Sequence, residues 1–315
     1  AESSTESSVN PRPSRRKKII RLAIFALASL IVLLYGGMIV TYVYFTIKDA
    51  RGPVCCNVPT DWGAESYQDV VITSADGITL VGWYVPPRES ADAPANTSVI
   101  ILLHGYGNNR LGMGDHAGFL NEAGYGVLML DMRAHGESSG DRRMSGWPDT
   151  VDVAAQVDFL TGQPDIEHIG IIGFSTGAQV AARAAADLSQ IEAIVLDGPS
   201  PATGGDVRPL TDDHALFVFW YVTYSLIDQA LALTLDIDVP EAVVDALARI
   251  EDRPVLVIAG AKERPEPDYG KAYREALGDN GELWLIDGAT HGTTWYVAPE
   301  YGERVIAFFD AAFAG

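Results

Sequence analysis

Cysteine is nearly absent from this 315-residue chain: the only two, Cys55 and Cys56, are adjacent. They cannot staple the long segment that follows, so a disulfide-framed fold is excluded there. Three roles stay open for such a pair: an intermolecular bond between two stalks, lipidation on a cytoplasmic face, or two inert thiols. Neither Cys-x-x-Cys nor His-Glu-x-x-His occurs, so neither a metal nor another cofactor is expected. Basic residues are scarce beyond residue 51, where 14 Lys and Arg face 39 Asp and Glu. A nucleic-acid partner is thereby disfavoured, because phosphate binding needs clustered cations. The acidity fits solubility in salt or at a cell surface better than a specific ligand.

Residues 1–18 lack apolar side chains almost entirely and cannot bury enough surface to offset the cost of ordering. They are expected to form a disordered cytoplasmic tail. What residues 22–47 lack is charge: 26 consecutive uncharged residues run from Leu22 to Ile47. As a helix rising about 1.5 Å per residue, they cover a bilayer's hydrocarbon core of roughly 30 Å with some tilt. A buried core helix and a cleaved signal peptide are the rivals. The run is too long for a signal peptide's apolar region and ends in Thr-Tyr-Val-Tyr-Phe-Thr-Ile, without the usual small-residue cleavage site. Residues 19–48 are therefore expected to be a transmembrane signal anchor, with Tyr42, Tyr44 and Phe45 at the far interface. Arg12, Arg15, Arg16, Lys17, Lys18 and Arg21 precede the span, and only Lys48 and Arg51 follow it closely. The positive-inside rule then puts the N-terminus in the cytoplasm and the remaining domain outside it.

After a linker at 49–66, the alternation typical of a hairpin appears in Val70–Thr73 and Thr79–Val85, joined by Ser-Ala-Asp-Gly. Continuous apolar runs follow, of the kind expected in buried parallel strands: Val99–Leu103, and runs ending at Asp131, Phe174, Asp197, Gly260 and Asp287. Helical patterns lie between most of them, at 114–123, 149–161, 176–188, 269–277 and 299–313. The fold class is thus α/β, a mostly parallel sheet with helices on both faces. One interval, about 199–252, is far too long for a single crossover helix and contains an aromatic-rich run from Ala215 to Ile227. Insertions at the carboxyl ends of strands sit above the ligand site of an open sheet, so this interval is expected to be a lid over a domain spanning 67–315.

Gly173-Phe174-Ser175-Thr176-Gly177 matches G-x-S-x-G. Its position, directly between a strand and an Ala-rich helix, is the sharp turn that exposes a serine hydroxyl at the top of a sheet. A serine nucleophile needs a base. Among six histidines, His291 lies just after the last strand, where a loop can return to the sheet's carboxyl edge. The orienting acid should come from the loop after Gly260, which offers Glu263 first, Asp268 second and Glu266 third; Asp197 is a more distant choice. The backbone N–H groups of Thr176 and Tyr106, the latter in the His104-Gly105-Tyr106-Gly107 turn, are expected to hold an oxyanion.

The order of elements, the His-Gly turn, Asp131-Met132-Arg133-Ala134-His135-Gly136-Glu137-Ser138 and Gly-Phe-Ser-Thr-Gly resemble the α/β-hydrolase superfamily over about residues 67–314. Within it, the chain is similar to membrane-anchored or secreted bacterial esterases, lipases and thioesterases. The resemblance implies an eight-stranded sheet with the first hairpin antiparallel to the rest, Ser175 and His291 as catalytic residues, and Tyr106 and Thr176 as oxyanion donors. Two departures stand out: Ala134 occupies a position usually held by Gly, and the acid loop lacks the usual Gly-x-x-Asp. The expected function is ester or thioester hydrolysis of a small or lipid-like acyl substrate. Peptidase, C–C hydrolase or acyltransferase chemistry, and a catalytically silent binding protein on the same fold, are the alternatives.

Overall fold

The computed structural model describes residues 15–48, 52–88, 97–210 and 214–314. Most of the expected N-terminal tail, residues 1–14, and residues 49–51 of the linker lie outside the described residues.

Helix α1 (Arg15–Ile47) opens with five cations, is uncharged from Leu22 onward and is almost wholly exposed, with only Ile39 and Val43 buried. Strands β1 (Gln68–Thr73) and β2 (Thr79–Val85) form the hairpin. There follow β3 (Ser98–Leu103), α2 (Gly114–Glu122), β4 (Gly126–Leu130), α3 (Thr150–Thr161), β5 (His168–Phe174), α4 (Thr176–Asp187) and β6 (Ile191–Asp197). The chain then continues through α5 (His214–Leu235), α6 (Val243–Leu247), β7 (Val255–Gly260), α7 (Glu266–Leu277), β8 (Gly281–Ile286), α8 (Thr294–Val297) and α9 (Tyr301–Phe313).

One eight-stranded sheet results, in the order β1-β2-β4-β3-β5-β6-β7-β8. The expectation for the hairpin needs correction: β2 alone runs against its neighbours β1 and β4, and β1 therefore points the same way as the remaining strands. Side chains alternate across the sheet with period two. From β3, Val99, Ile101 and Leu103 pack beneath α3, α4, α6 and α7, whereas Ile100 and Leu102 pack against α2 and α9. The fully buried central strands explain why the sequence shows continuous apolar runs there.

The long interval after β6 divides into two kinds of structure. Helix α6 belongs to the body, because Val243 and Leu247 are fully buried in the core beneath the sheet. Helix α5 stands apart from it. Its second half buries Thr223, Asp228, Leu231 and Leu235, but its first half presents Leu216, Val218, Phe219, Trp220, Tyr221 and Val222 outward. Tyr35, Ile39, Val43 and Ile47, spaced every four residues on one face of α1, join Ile227, Leu231 and Leu235 of α5 and Trp147 in a third apolar cluster. Tyr35 donates its hydroxyl proton to Thr223 Oγ1 at 2.5 Å. The sulfurs of Cys55 and Cys56 face each other within this chain.

Candidate active site

Strand β5 ends at Phe174 and α4 begins at Thr176, which leaves Ser175 to make the whole turn. It does so at φ 54° and ψ −115°, a backbone conformation that a non-glycine residue adopts only when its surroundings force it. Those surroundings are tight. A Cβ on Gly177 would overlap the Leu103 carbonyl of β3, and one on Gly173 would overlap the Gly177 backbone. The Ser175 N–H is held by the Asp197 carbonyl at the end of β6 at 2.8 Å. The sequence spacing of the glycines is thus the imprint of a helix packed hard against the strand ends.

His291 sits in the loop between β8 and α8, and its Nε2 lies 2.9 Å from Ser175 Oγ. The Phe174 ring lies against the imidazole at 5.2 Å. On the other side, His291 Nδ1 lies 2.7 Å from Glu266 Oε2. The second oxygen of that carboxylate, Oε1, accepts the Gly260 N–H at 2.6 Å. The carboxylate facing His291 is therefore neither Glu263 nor Asp268. Glu263 is exposed, and Asp268 is bonded to Arg264 Nε at 2.5 Å. Helix α7 begins three residues earlier than the sequence pattern suggests, which puts Glu266 in its first turn, buried against the end of β7. Asp197 is fully buried and engaged elsewhere, accepting hydrogen bonds from Thr294 Oγ1 at 2.7 Å and Tyr301 OH at 2.9 Å. The hydrogen bond to Glu266 holds the imidazolium of His291 and raises its pKa above the usual value, against the opposing effect of burial.

Two further histidines fix the neighbouring turn. His104 and His135 are buried, and burial pushes the pKa of each down to about 4, so both are neutral at physiological pH. His104 Nε2 accepts the Met132 N–H at 3.0 Å, and its Nδ1 lies 2.8 Å from the Gly105 carbonyl. His135 Nε2 accepts the Gly107 N–H at 3.2 Å, with its Nδ1 2.8 Å from the Arg133 carbonyl. Residues 104–107 are thereby pinned beside Ser175; a Cβ on Gly105 would lie 3.4 Å from Ser175 Cβ. Thr176, directly after Ser175, is the first residue of α4, whose opening N–H groups have no partner within the helix. Sequence reading treated the two histidines as turn residues without giving them this clamping role; no motif marks it.

The Tyr106 side chain leaves the site and donates its hydroxyl proton to the Thr46 carbonyl in the last turn of α1. Arg143 stacks over the Tyr106 ring at 4.5 Å and donates to the Lys48 carbonyl from Nε and Nη2, at 3.1 and 2.9 Å. Beside Thr176 and Gln179 opens a cavity of about 180 Å³, whose walls include Tyr42 and Thr46 of α1 and Tyr224, Ile227, Asp228 and Leu231 of α5. Among the described residues, no group of three His, Cys, Asp or Glu is placed to hold a metal ion.

The chain adopts the α/β-hydrolase fold, a mostly parallel eight-stranded sheet with a serine on the turn after β5 and a histidine after β8, and is similar to the α/β-hydrolase superfamily. A family profile described as serine aminopeptidase, S33, matches residues 94–231. An esterase of Pyrococcus furiosus superposes with a TM-score of 0.68 at 26% identity, covering 85% of this chain and 98% of its own. Est1E of Butyrivibrio proteoclasticus, in a structure with ferulic acid bound, superposes at 0.59 and 20% identity over 78% of this chain and all of its own, a likeness of fold alone. The uncharacterized protein YfhR of Escherichia coli O157:H7 is 29% identical over 143 residues, 44% of this chain and 48% of its own length. An uncharacterized protein of Mycobacterium tuberculosis is 32% identical over 116 residues, 36% of this chain and 39% of its own. The chain thus spans about half, or less, of the length of these two curated relatives.

Proposed function

We propose that this chain is a membrane-anchored serine hydrolase that cleaves carboxylic esters through an acyl-enzyme on Ser175, with His291 as general base and Glu266 as the acid that orients it. The observation carrying this reading is the unbroken relay from Ser175 Oγ to His291 Nε2 and from His291 Nδ1 to Glu266, at 2.9 and 2.7 Å. Nε2 takes the hydroxyl proton as Oγ bonds to the ester carbon, and the carbonyl electron pair moves onto oxygen, facing the Thr176 and Tyr106 amides. Collapse of this intermediate breaks the carbon–oxygen bond of the ester, and the alcohol leaves with the proton from His291. Water then repeats the sequence and releases the carboxylic acid. Anchoring by α1 is supported by its 26 uncharged residues and near-complete exposure, and by the basic residues ahead of it. The orientation these give places the hydrolase domain outside the cytoplasm.

A fluorophosphonate probe and p-nitrophenyl butyrate test the reading on the full chain. The probe is expected to modify Ser175 and the ester to be hydrolysed, with both lost in Ser175→Ala. An intact protein that does neither refutes it. A peptidase reading has one observation in its favour besides the matched profile: the Asp228 carboxylate lines the cavity, where a substrate ammonium group would fit. Turnover of amino-acyl p-nitroanilides in preference to esters would establish it.

A further inference from the structure

Helix α1 is more than a tether in this structure. Its last turn carries backbone carbonyls that have no partner within the helix. Tyr106 and Arg143 satisfy those of Thr46 and Lys48, and Tyr106 belongs to the turn that flanks Ser175. The end of the apolar helix is therefore bonded to the rim of the hydrolase site. Helix α5 extends the same arrangement. It is 22 residues long and is one of two described helices apolar and long enough to cross a bilayer, the other being α1. Its first half, from Leu216 to Val222, is a nearly continuous exposed apolar surface that leads into the part of α5, from Thr223 to Leu235, packed against α1. In water such a surface is costly, whereas in hydrocarbon it is not.

The cavity beside Thr176 lies where these helices meet. Tyr42 and Thr46 come from α1, Tyr224, Ile227 and Leu231 from α5, and Thr176 directly follows the nucleophile. The cleft between the two helices thus ends at the residue that follows Ser175.

We infer that the first half of α5 is embedded in the bilayer beside α1, and that the substrate is a long-chain ester resident in the membrane, whose acyl chain lies between α1 and α5. This inference rests on the serine-hydrolase reading. Lipid enters sideways from the leaflet, the chain occupies the Tyr42, Thr46, Ile227 and Leu231 walls, and the ester group reaches Ser175 at the level of the headgroups. Arg143 and Lys48 at the exit of α1 fit that level, where cationic side chains meet lipid phosphates.

The test uses the full chain in phosphatidylcholine vesicles and a fluorophosphonate bearing a long alkyl chain with a diazirine at its midpoint. The phosphonate reports on Ser175 and the diazirine on the path of the chain. After irradiation, crosslinks are expected on α1 around Tyr42 and Thr46 and on α5 around Tyr224 to Leu231. Labelling of Ser175 with crosslinks confined to other parts of the domain overturns the inference and leaves the hydrolase reading intact. A chain not labelled at Ser175 by this probe or by a short one removes the hydrolase reading and the inference with it. Two variants give a second readout: Thr46→Trp and Leu231→Trp fill the cleft from opposite sides. Each is expected to lower the ratio of long-chain ester to p-nitrophenyl butyrate turnover at least tenfold. An unchanged ratio in both overturns the inference.

Discussion

Replacing Glu266 with Gln is the most searching perturbation of the proposed relay, because the structure dictates how the new amide must sit. The Gly260 N–H, buried at the end of β7, donates to Oε1 of Glu266 at 2.6 Å. An N–H is a donor only, so the carbonyl oxygen of Gln must take that position, which turns the amide NH2 toward His291 Nδ1. Nδ1 then has to accept, the ring proton moves to Nε2, and Nε2 faces Ser175 Oγ with a proton already on it. A base in that tautomer cannot receive the serine proton. Geometry would be preserved and catalysis lost, as is known for a wrong-tautomer histidine, by about 10⁴-fold or roughly 5 kcal/mol of barrier. Glu266→Ala leaves the tautomer free and is expected to lose about 10²- to 10³-fold, less than Glu266→Gln despite being the larger truncation. The assay is kcat/KM for p-nitrophenyl butyrate, with short-probe labelling of Ser175 as a second measure of nucleophile activity.

The same pair of residues sets the pH dependence. Proton abstraction needs neutral His291, and the Glu266 hydrogen bond raises its pKa above the ordinary 6.5. Activity of the unmodified chain should therefore fall with acid at a pH above 6.5, and Glu266→Ala should move that limb to lower pH. Glu263→Gln, Asp268→Asn and Asp197→Asn are controls expected to stay within about tenfold of the parent. A Glu266→Gln variant within threefold of the parent, or one less impaired than Glu266→Ala, refutes the reasoning.

Other changes probe the scaffold. Gly177→Ala places a methyl group on the Leu103 carbonyl, so loss of Ser175 labelling, with or without loss of folding, is expected from gel-based activity profiling. Arg133 is buried among Asp152, at 2.7 Å, Asp76, at 2.8 Å, and Asp149, at 3.6 Å; Arg133→Met strands these carboxylates and should cost about 3–5 kcal/mol in denaturant unfolding. A cost under about 1 kcal/mol would show that the cluster rearranges. Ala134 has φ 57°, which explains why glycine is usual there; Ala134→Gly is expected to stabilise by up to about 1 kcal/mol, and a clear loss in Tm would contradict that account. His135→Phe removes the acceptor for the Gly107 N–H and should lower kcat with little effect on KM, since in the proposed mechanism the turn contacts the developing oxyanion and not the ground state.

The sheet and the nucleophile turn were legible because their causes are local. Buried parallel strands must be apolar throughout, and a serine on a sharp turn needs small residues on either side, so both leave marks within a few neighbouring positions. The acid was less so. Glu263, Glu266 and Asp268 stand within six residues, and the choice among them depends on where α7 starts. Nothing in the sequence sets that start unambiguously, because Pro265 and Pro267 are compatible with a loop and with a first helical turn alike. Which way the hairpin runs relative to the sheet was similarly hidden, since β1 pairs only with β2 and its direction follows from the contact of β2 with β4, whose partners (Gly82 with Leu130, Val85 with Val127) are far apart in sequence, not from its own residues.

Helix α5 was less legible for a different reason. Its aromatic run marks an apolar surface, and sequence alone cannot say whether protein, substrate or lipid covers it. The expected lid over residues 199–252 treats the interval as one device, whereas α6 is core and only α5 is free to serve the site. What distinguishes them is where their apolar faces lead: Val243 and Leu247 meet the sheet, and Leu231 and Leu235 meet α1. A lid that packs against α1 cannot swing open without breaking that contact. On the proposal that α1 sits in a bilayer, access comes along the helices and not across them, which ties the choice of substrate to that membrane.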